Sequence, residues 1–146
     1  FEPQIHFQCE IKRPLYLPTQ QSDQIVNIVQ EALHNAKKHA FARRVIIQLS
    51  PCSACYEVVV EDDGCGFDVE AQATQYGNHF GLSIMRARAQ RIGGVLAIDS
   101  RPDSGTRVIF RWPNLPESTN LRETSSQSET ADSLFMDPIE TREMDL

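Results

Sequence analysis

The sequence has no apolar run approaching the roughly 20 residues that cross a bilayer, and no basic–apolar–small leader opens it. It contains neither GxxxxGK[ST] nor GxGxxG, so a nucleotide held here needs an architecture other than a P-loop or a dinucleotide fingerprint. Basic charge is not in excess. Residues 1–113 carry 12 acids and 12 bases, and the formal net charge of −6 resides in residues 114–146, with eight acids and two bases. A basic nucleic-acid surface is therefore not expected, and the acidic balance describes only the tail. Cysteine is too sparse for a disulfide framework: Cys9, Cys52, Cys55 and Cys65 are the whole set. Cys52-Ser-Ala-Cys55 has no second CxxC or HxxxH to complete a tetrahedral zinc site and no βαβ surroundings for a redox motif. All four cysteines are expected reduced, with Cys52 and Cys55 in a loop.

What is present is length enough, at 146 residues, for one domain with a real core. Ile5–Ile11 alternates apolar and polar positions, the pattern of a half-buried strand, which Pro14 and Pro18 end. Ser22 or Asp23 offers an N-cap. Ile25, Ile28, Val29, Ala32, Leu33 and Ala36 then recur at helical spacing up to about Ala40. Arg44–Leu49 and Tyr56–Glu61 read as strands, residues 67–78 as a polar irregular segment, and Phe80–Ile92 as a helix stopped by Gly93-Gly94. Val95–Asp99 and Thr106–Trp112 complete the pattern as a hairpin. The order predicts an α+β two-layer sandwich, a mixed and mainly antiparallel sheet with helices on one face, over residues 1–113. Residues 114–146, rich in Ser, Thr and Glu without periodicity, are expected to be a disordered acidic tail, with a short amphipathic piece near Leu134–Ile139.

Four segments carry chemistry when taken together. Glu31, Asn35, Lys38 and His39 fall at i, i+4, i+7 and i+8, on one face of the first helix. A neutral amide oxygen such as that of Asn35 suits Mg²⁺, which takes few protein ligands when phosphates supply the rest. Glu31 suits orientation of a metal-bound water or proton transfer, and Lys38 suits a phosphate; His39 suits a phosphate or ribose. Asp62, at a strand end, offers a carboxylate to an adenine amine, and Gly64 and Gly66 permit close backbone approach. Gly77 and Gly81 free the loop before the second long helix, whose start at Phe80–Leu82 presents N–H groups to phosphate. Thr106, after Gly105, offers a hydroxyl to a base edge or a water. Singly, each has an ordinary alternative: a solvated helix face, an Asp-Gly turn, a helix start, the first residue of a strand.

In their order and spacing these segments resemble the N, G1, G2 and G3 boxes of the GHKL ATPase superfamily, with its Bergerat fold. Gln30–Ala40 and Phe80–Ala89, with its Met85-Arg86-x-Arg88-Ala89 run, resemble the catalytic domains of bacterial sensor histidine kinases, and among them the nitrate/nitrite-sensor and degradative-enzyme-sensor type. The resemblance covers residues 1–113. It implies ATP and Mg²⁺ as cofactors, with Asn35 the metal ligand, Glu31 and Asn35 the catalytic pair, Lys38 and His39 nucleotide contacts and Asp62 the adenine anchor. Gly64, Gly66, Gly77, Gly81 and Leu82 would shape the pocket and lid, and Thr106 the adenine side. It implies transfer of the γ-phosphoryl group to a histidine on a separate dimerisation domain, then relay to a LuxR/NarL-type response regulator.

None of His6, His34, His39 and His79 resembles the phosphoacceptor, so that domain is expected upstream of Phe1 in a longer, homodimeric protein. The chain alone is then expected to be monomeric, cytoplasmic and unable to autophosphorylate; anchorage of the longer protein in the bacterial inner membrane is compatible with this. Two other readings use the same residues: an anti-sigma-factor serine kinase on the same fold, and a non-catalytic nucleotide-binding interaction module.

Overall fold

The computed structural model describes residues 2–74 and 80–114. Eight elements follow in order: β1 (Gln4–Cys9), α1 (Thr19–Lys38), β2 (Arg44–Cys52), β3 (Cys55–Asp62), α2 (Val69–Thr74), α3 (Phe80–Arg91), β4 (Val95–Ser100) and β5 (Thr106–Pro113). The strands form one sheet in the order β1-β2-β3-β5-β4. β1 runs parallel to β2, and every other neighbouring pair is antiparallel.

Strand alternation decides which side of the sheet the helices cover. Val45 and Ile47 of β2, Val58 and Val60 of β3, and Val108, Phe110 and Trp112 of β5 are all buried. They pack with Ile28, Ala32 and Ala36 of α1 and Met85 and Ala89 of α3. The ladder register sets Ile47 beside Val60 and Val60 beside Val108, so these residues share one face. Small residues at 32, 36 and 89 let both helices lie close to the sheet. Phe110 and Met85 are fully buried, each worth about 1.5–3 kcal/mol of hydrophobic stabilisation. The opposite face carries the intervening residues, among them the cross-strand ion pairs Glu57–Arg111 and Glu61–Arg107.

The α+β sandwich is as expected, and four local expectations are corrected. All six residues of β1 are exposed rather than half-buried. β1 is the edge strand, so Ile5 and Phe7 lie in register with buried Val45 and Ile47 but beyond the helical cover. Helix α1 starts at Thr19, directly after Pro18, whose ψ of 142° is extended. Ser22 therefore lies inside the helix, and its hydroxyl bonds back to the Thr19 carbonyl at 2.9 Å.

Part of the irregular segment 67–78 is helical. Asp68 Oδ1 accepts the N–H groups of Glu70 and Ala71 at 2.9 and 3.0 Å, an N-cap that starts α2 without an apolar repeat to announce it. Cys52 and Cys55 are joined in a disulfide, not reduced. They sit directly opposite each other where β2 turns into β3, with Cα atoms 4.9 Å apart, inside the range a disulfide spans. The two-residue turn between them puts Ala54 at φ 124°. The acidic tail from residue 115, and the piece near Leu134–Ile139, lie outside the described residues.

Candidate nucleotide-binding site

The C-terminal half of α1, the end of β3, the start of α3 and the start of β5 enclose a cavity of about 470 Å³, within the usual range for small-molecule sites. Glu31, Asn35, Lys38 and His39 all line it from α1, as their helical spacing predicts. Asp62, Gly66, Gly81, Leu82 and Thr106 line it from the other elements. Ala32, Ala40, Val60 and Val108 give it an apolar part.

The register explains the convergence. Val45, Asp62, Thr106 and Ser100 are successive partners across β2, β3, β5 and β4, and so form one row on the helix-facing side. The next rows are apolar: Ile47, Val60, Val108 and Ile98, then Leu49, Val58, Phe110 and Leu96. This row ends the apolar core and begins the polar site.

Asp62 is held by the backbone around it. Its Oδ1 accepts the Gly64 N–H at 2.8 Å, and the Thr106 N–H also bonds its carboxylate. Burial pushes its pKa above the ordinary value, and those two bonds only partly oppose the shift. Asp63, next along, does a different job. Its Oδ1 accepts the Arg43 and Arg44 N–H groups at 2.8 Å each, which holds its pKa below the ordinary value. It clamps the chain entering β2 to the chain leaving β3.

Glycines set the walls. Gly105 has φ +72°, and a β-carbon there would overlap the Asp62 backbone carbonyl. Gly66 has φ +59°, and a β-carbon there would overlap the Arg101 carbonyl. Gly64 does not line the cavity; it packs on Ala40 with no room for a side chain. Gly81 lies against the Glu31 carboxylate, which brings the first turn of α3 up to the α1 face. Gly77 lies outside the described residues.

The two helix ends at the cavity are electrostatically opposite. α1 presents its C-terminal turn, the negative end of its dipole, where His39 and Ala40 N–H groups share the Asn35 carbonyl at 2.9 and 3.1 Å. The 12-residue α3 presents its N-terminal turn, the positive end. A cation beside Asn35 and a polyphosphate beside Gly81 and Leu82 match that arrangement. Among the described residues no cluster of three or more His, Cys, Asp or Glu side chains could hold a metal unaided. Glu31 and Asn35 are the α1 residues lining the cavity that carry side-chain oxygens, a donor type that suits an ion taking its remaining ligands from phosphate.

Sequence reasoning missed four participants. His34 lines the cavity from α1, and Phe67 and Gln72 line it from the segment read as irregular. Ser100, 8% exposed, is the buried polar side chain among the described residues. Its hydroxyl meets the Phe67 N–H at 2.9 Å, the Gly105 carbonyl at 2.9 Å and the Thr106 hydroxyl at 3.0 Å. A serine closing a strand six residues before a threonine opening the next was the available signal, since a tight hairpin sets the two opposite each other.

The sequence profile of the histidine kinase-, DNA gyrase B-, and HSP90-like ATPases matches residues 20–116. The nitrate/nitrite sensor protein NarX of Escherichia coli (strain K12) is 34% identical over 106 residues, 73% of this chain and 17% of that protein. The signal transduction histidine-protein kinase/phosphatase DegS of Brevibacillus brevis is 36% identical over 89 residues, 61% of this chain and 22% of that protein. Among solved structures, the histidine kinase domain of the Erythrobacter litoralis EL346 blue-light activated histidine kinase superposes with a TM-score of 0.62 at 29% identity, covering 75% of this chain and 51% of that one. The chain thus spans about a fifth of the length of these curated relatives. Box order, the cavity those boxes line and the match over 20–116 agree: this chain belongs to the histidine kinase-, DNA gyrase B- and HSP90-like ATPase family, and within it to the ATP-binding domains of histidine kinases.

Proposed function

We propose that this domain holds ATP with Mg²⁺ and presents the γ-phosphoryl group to a histidine on a separate dimerisation domain, for relay to a LuxR/NarL-type response regulator. The observation that carries the reading is one cavity lined by nine of the eleven expected residues, brought there by α1, β3, α3, β5 and the turns that follow α1 and β3.

Asp62 is the anchor for the adenine amine, fixed by two backbone N–H groups and needing no rearrangement on binding. Thr106 faces the same base edge. Asn35, with Glu31 one turn before it, holds the metal side. Lys38 and His39 follow on the same face, within reach of phosphate and ribose. The N-terminal turn of α3, at Gly81 and Leu82, supplies N–H groups to the phosphates. Mg²⁺ held beside Asn35 would supply neutralisation of phosphate charge. Glu31 and Asn35 are the catalytic residues of this reading, and the protein's share is placement and electrostatics.

The same reading makes residues 1–113 the ATP-binding domain and 114–146 an acidic tail outside it. It places the domain in the cytoplasm and the transfer reaction in a homodimer that includes the acceptor domain.

The test is calorimetric titration of ATP into the purified chain with and without Mg²⁺, followed by radiolabelled ATP with a histidine-bearing dimerisation domain added in trans. Saturable 1:1 binding strengthened by Mg²⁺, lost of its Mg²⁺ dependence in Asn35→Ala, and acid-labile label on the added domain are expected. No binding at millimolar ATP overturns the reading. Label on a serine points to the serine-kinase alternative. Binding without transfer to any acceptor points to an interaction module.

A further inference from the structure

We infer that Ser100 is a specificity-determining positioning residue: it fixes which way the Thr106 hydroxyl proton points, and so makes Thr106 an acceptor toward the base. The inference rests on the nucleotide reading above and deepens it.

The number of protons available at Ser100 fixes the direction of each of its bonds. Ser100 Oγ has one proton and two lone pairs. The Phe67 N–H, 2.9 Å away, can only donate, and so takes one lone pair. The Gly105 carbonyl, 2.9 Å away, can only accept, and so takes the proton. One lone pair is left for the Thr106 hydroxyl at 3.0 Å, and a lone pair requires Thr106 to be the donor. With Ser100 saturated, the Thr106 proton points toward β4, away from the cavity that Thr106 lines. Only its lone pairs remain for a ligand. Ser100 itself does not line that cavity, and it is buried. Exchange of the arrangement is unfavourable, because turning the Ser100 proton toward Thr106 strips the buried Gly105 carbonyl of this bond.

Asp62 and Thr106 are partners across the ladder. The ionised carboxylate accepts only, and Thr106, pinned by Ser100, does likewise. Two adjacent acceptors fit a purine with an amino group at position 6, whose two protons can serve both directly. They disfavour a purine with a carbonyl there, which would set a third acceptor against them. A Thr106 hydroxyl free to rotate could donate to that carbonyl and would weaken the discrimination. Ser100 also ties Phe67, after the Gly64–Gly66 turn, to the Gly105–Thr106 turn, so the pin holds two walls in one register.

The test is the ratio of dissociation constants for inosine triphosphate and ATP, measured with Mg²⁺ on the purified chain and its variants. The parent should favour ATP. Ser100→Ala should lower the ratio roughly tenfold, the scale of one hydrogen bond's preference, and Ser100→Thr, which keeps the hydroxyl, should restore it. Thr106→Val should lower the ratio by itself, and Ser100→Ala added to it should change the ratio no further.

A ratio unchanged in Ser100→Ala, or additive effects in the double variant, overturns the inference while leaving nucleotide binding intact. Failure of the parent to bind ATP overturns the underlying reading instead. Should Ser100→Ala fail to fold, the parent alone decides. The Thr106 hydroxyl proton should be protected from solvent and give a nuclear Overhauser contact to Ser100 β-protons. Free exchange with water overturns the inference.

Discussion

The two ends of β3 meet the same demand in opposite ways. At its start, the chain reverses through a two-residue turn closed by the Cys52–Cys55 disulfide, with Ala54 held at φ 124°, a strained value for any residue with a side chain. At its finish, the chain passes through Gly64 and Gly66 and, across the ladder, meets Gly105; positive φ falls here on Gly66 and Gly105, where a β-carbon would overlap backbone, and on the exposed Asp103 of the facing turn. The difference is in what lies beside the turn. Around Asp62, backbone presses on backbone and no β-carbon fits. Around Ser53 and Ala54 both residues are exposed, so a strained alanine is tolerated and a covalent bond closes the turn. The strand's eight residues put the two ends about 24 Å apart at ~3.4 Å per residue, far enough for each to be altered separately.

The strongest way to break the contrast is Gly105→Ala. The added β-carbon overlaps the Asp62 carbonyl at a φ that alanine resists, and stability in denaturant titrations should fall by about 3 kcal/mol or more. Next is Asp62→Asn, which removes the charged acceptor from the pocket end only. ATP affinity by calorimetry should drop by about 1.5–3 kcal/mol, tenfold or more. Reducing the disulfide at the far end should cost about 2 kcal/mol or less, because the closed loop is so short, and should leave ATP affinity unchanged; a changed affinity would mean the ends are coupled. Ala54→Gly should raise the melting midpoint, relieving about 1 kcal/mol of strain, the reverse of the glycine substitution at the other end.

The smallest effect is a pH dependence with opposite signs at neighbouring residues. Asp62, whose pKa is raised above 3.8 by burial, binds its proton more tightly folded than unfolded. Its contribution to stability therefore declines as pH rises through the window just above 3.8. Asp63, whose pKa is lowered below 3.8, contributes stability above that value and loses it as pH falls through its folded pKa. Between pH 3 and 7, Asp62→Asn should flatten the first slope and Asp63→Asn the second.

What was legible in the sequence follows the same division. The α1 face was readable because helical spacing alone brings Glu31, Asn35, Lys38 and His39 together, and the cavity contains all four. The strands carrying Asp62 and Thr106 were readable from β-branched runs. The cover over β1 was not, since Ile5 and Phe7 alternate like core residues and only the helix positions show them uncovered. α2 was missed because it is six residues long and started by a cap, not a repeat. The disulfide was missed because CxxC spacing suits loops, metals and hairpins alike, and only ladder register chooses. Ser100 was missed because a buried hydroxyl with three partners looks, in sequence, like any serine at a strand end.

The close approach of Gly105 to Asp62 and of Gly66 to Arg101 also bears on how this protein can drift genetically. A single-base change in a glycine codon that still encodes an amino acid other than glycine installs at least a β-carbon. At these codons no substitution is conservative in the sense that matters, and alanine is excluded along with tryptophan. A saturation library grown under selection for ATP binding should therefore return synonymous changes alone at 66 and 105, while Gly93, with nothing within 4 Å, should accept the αL-tolerant asparagine.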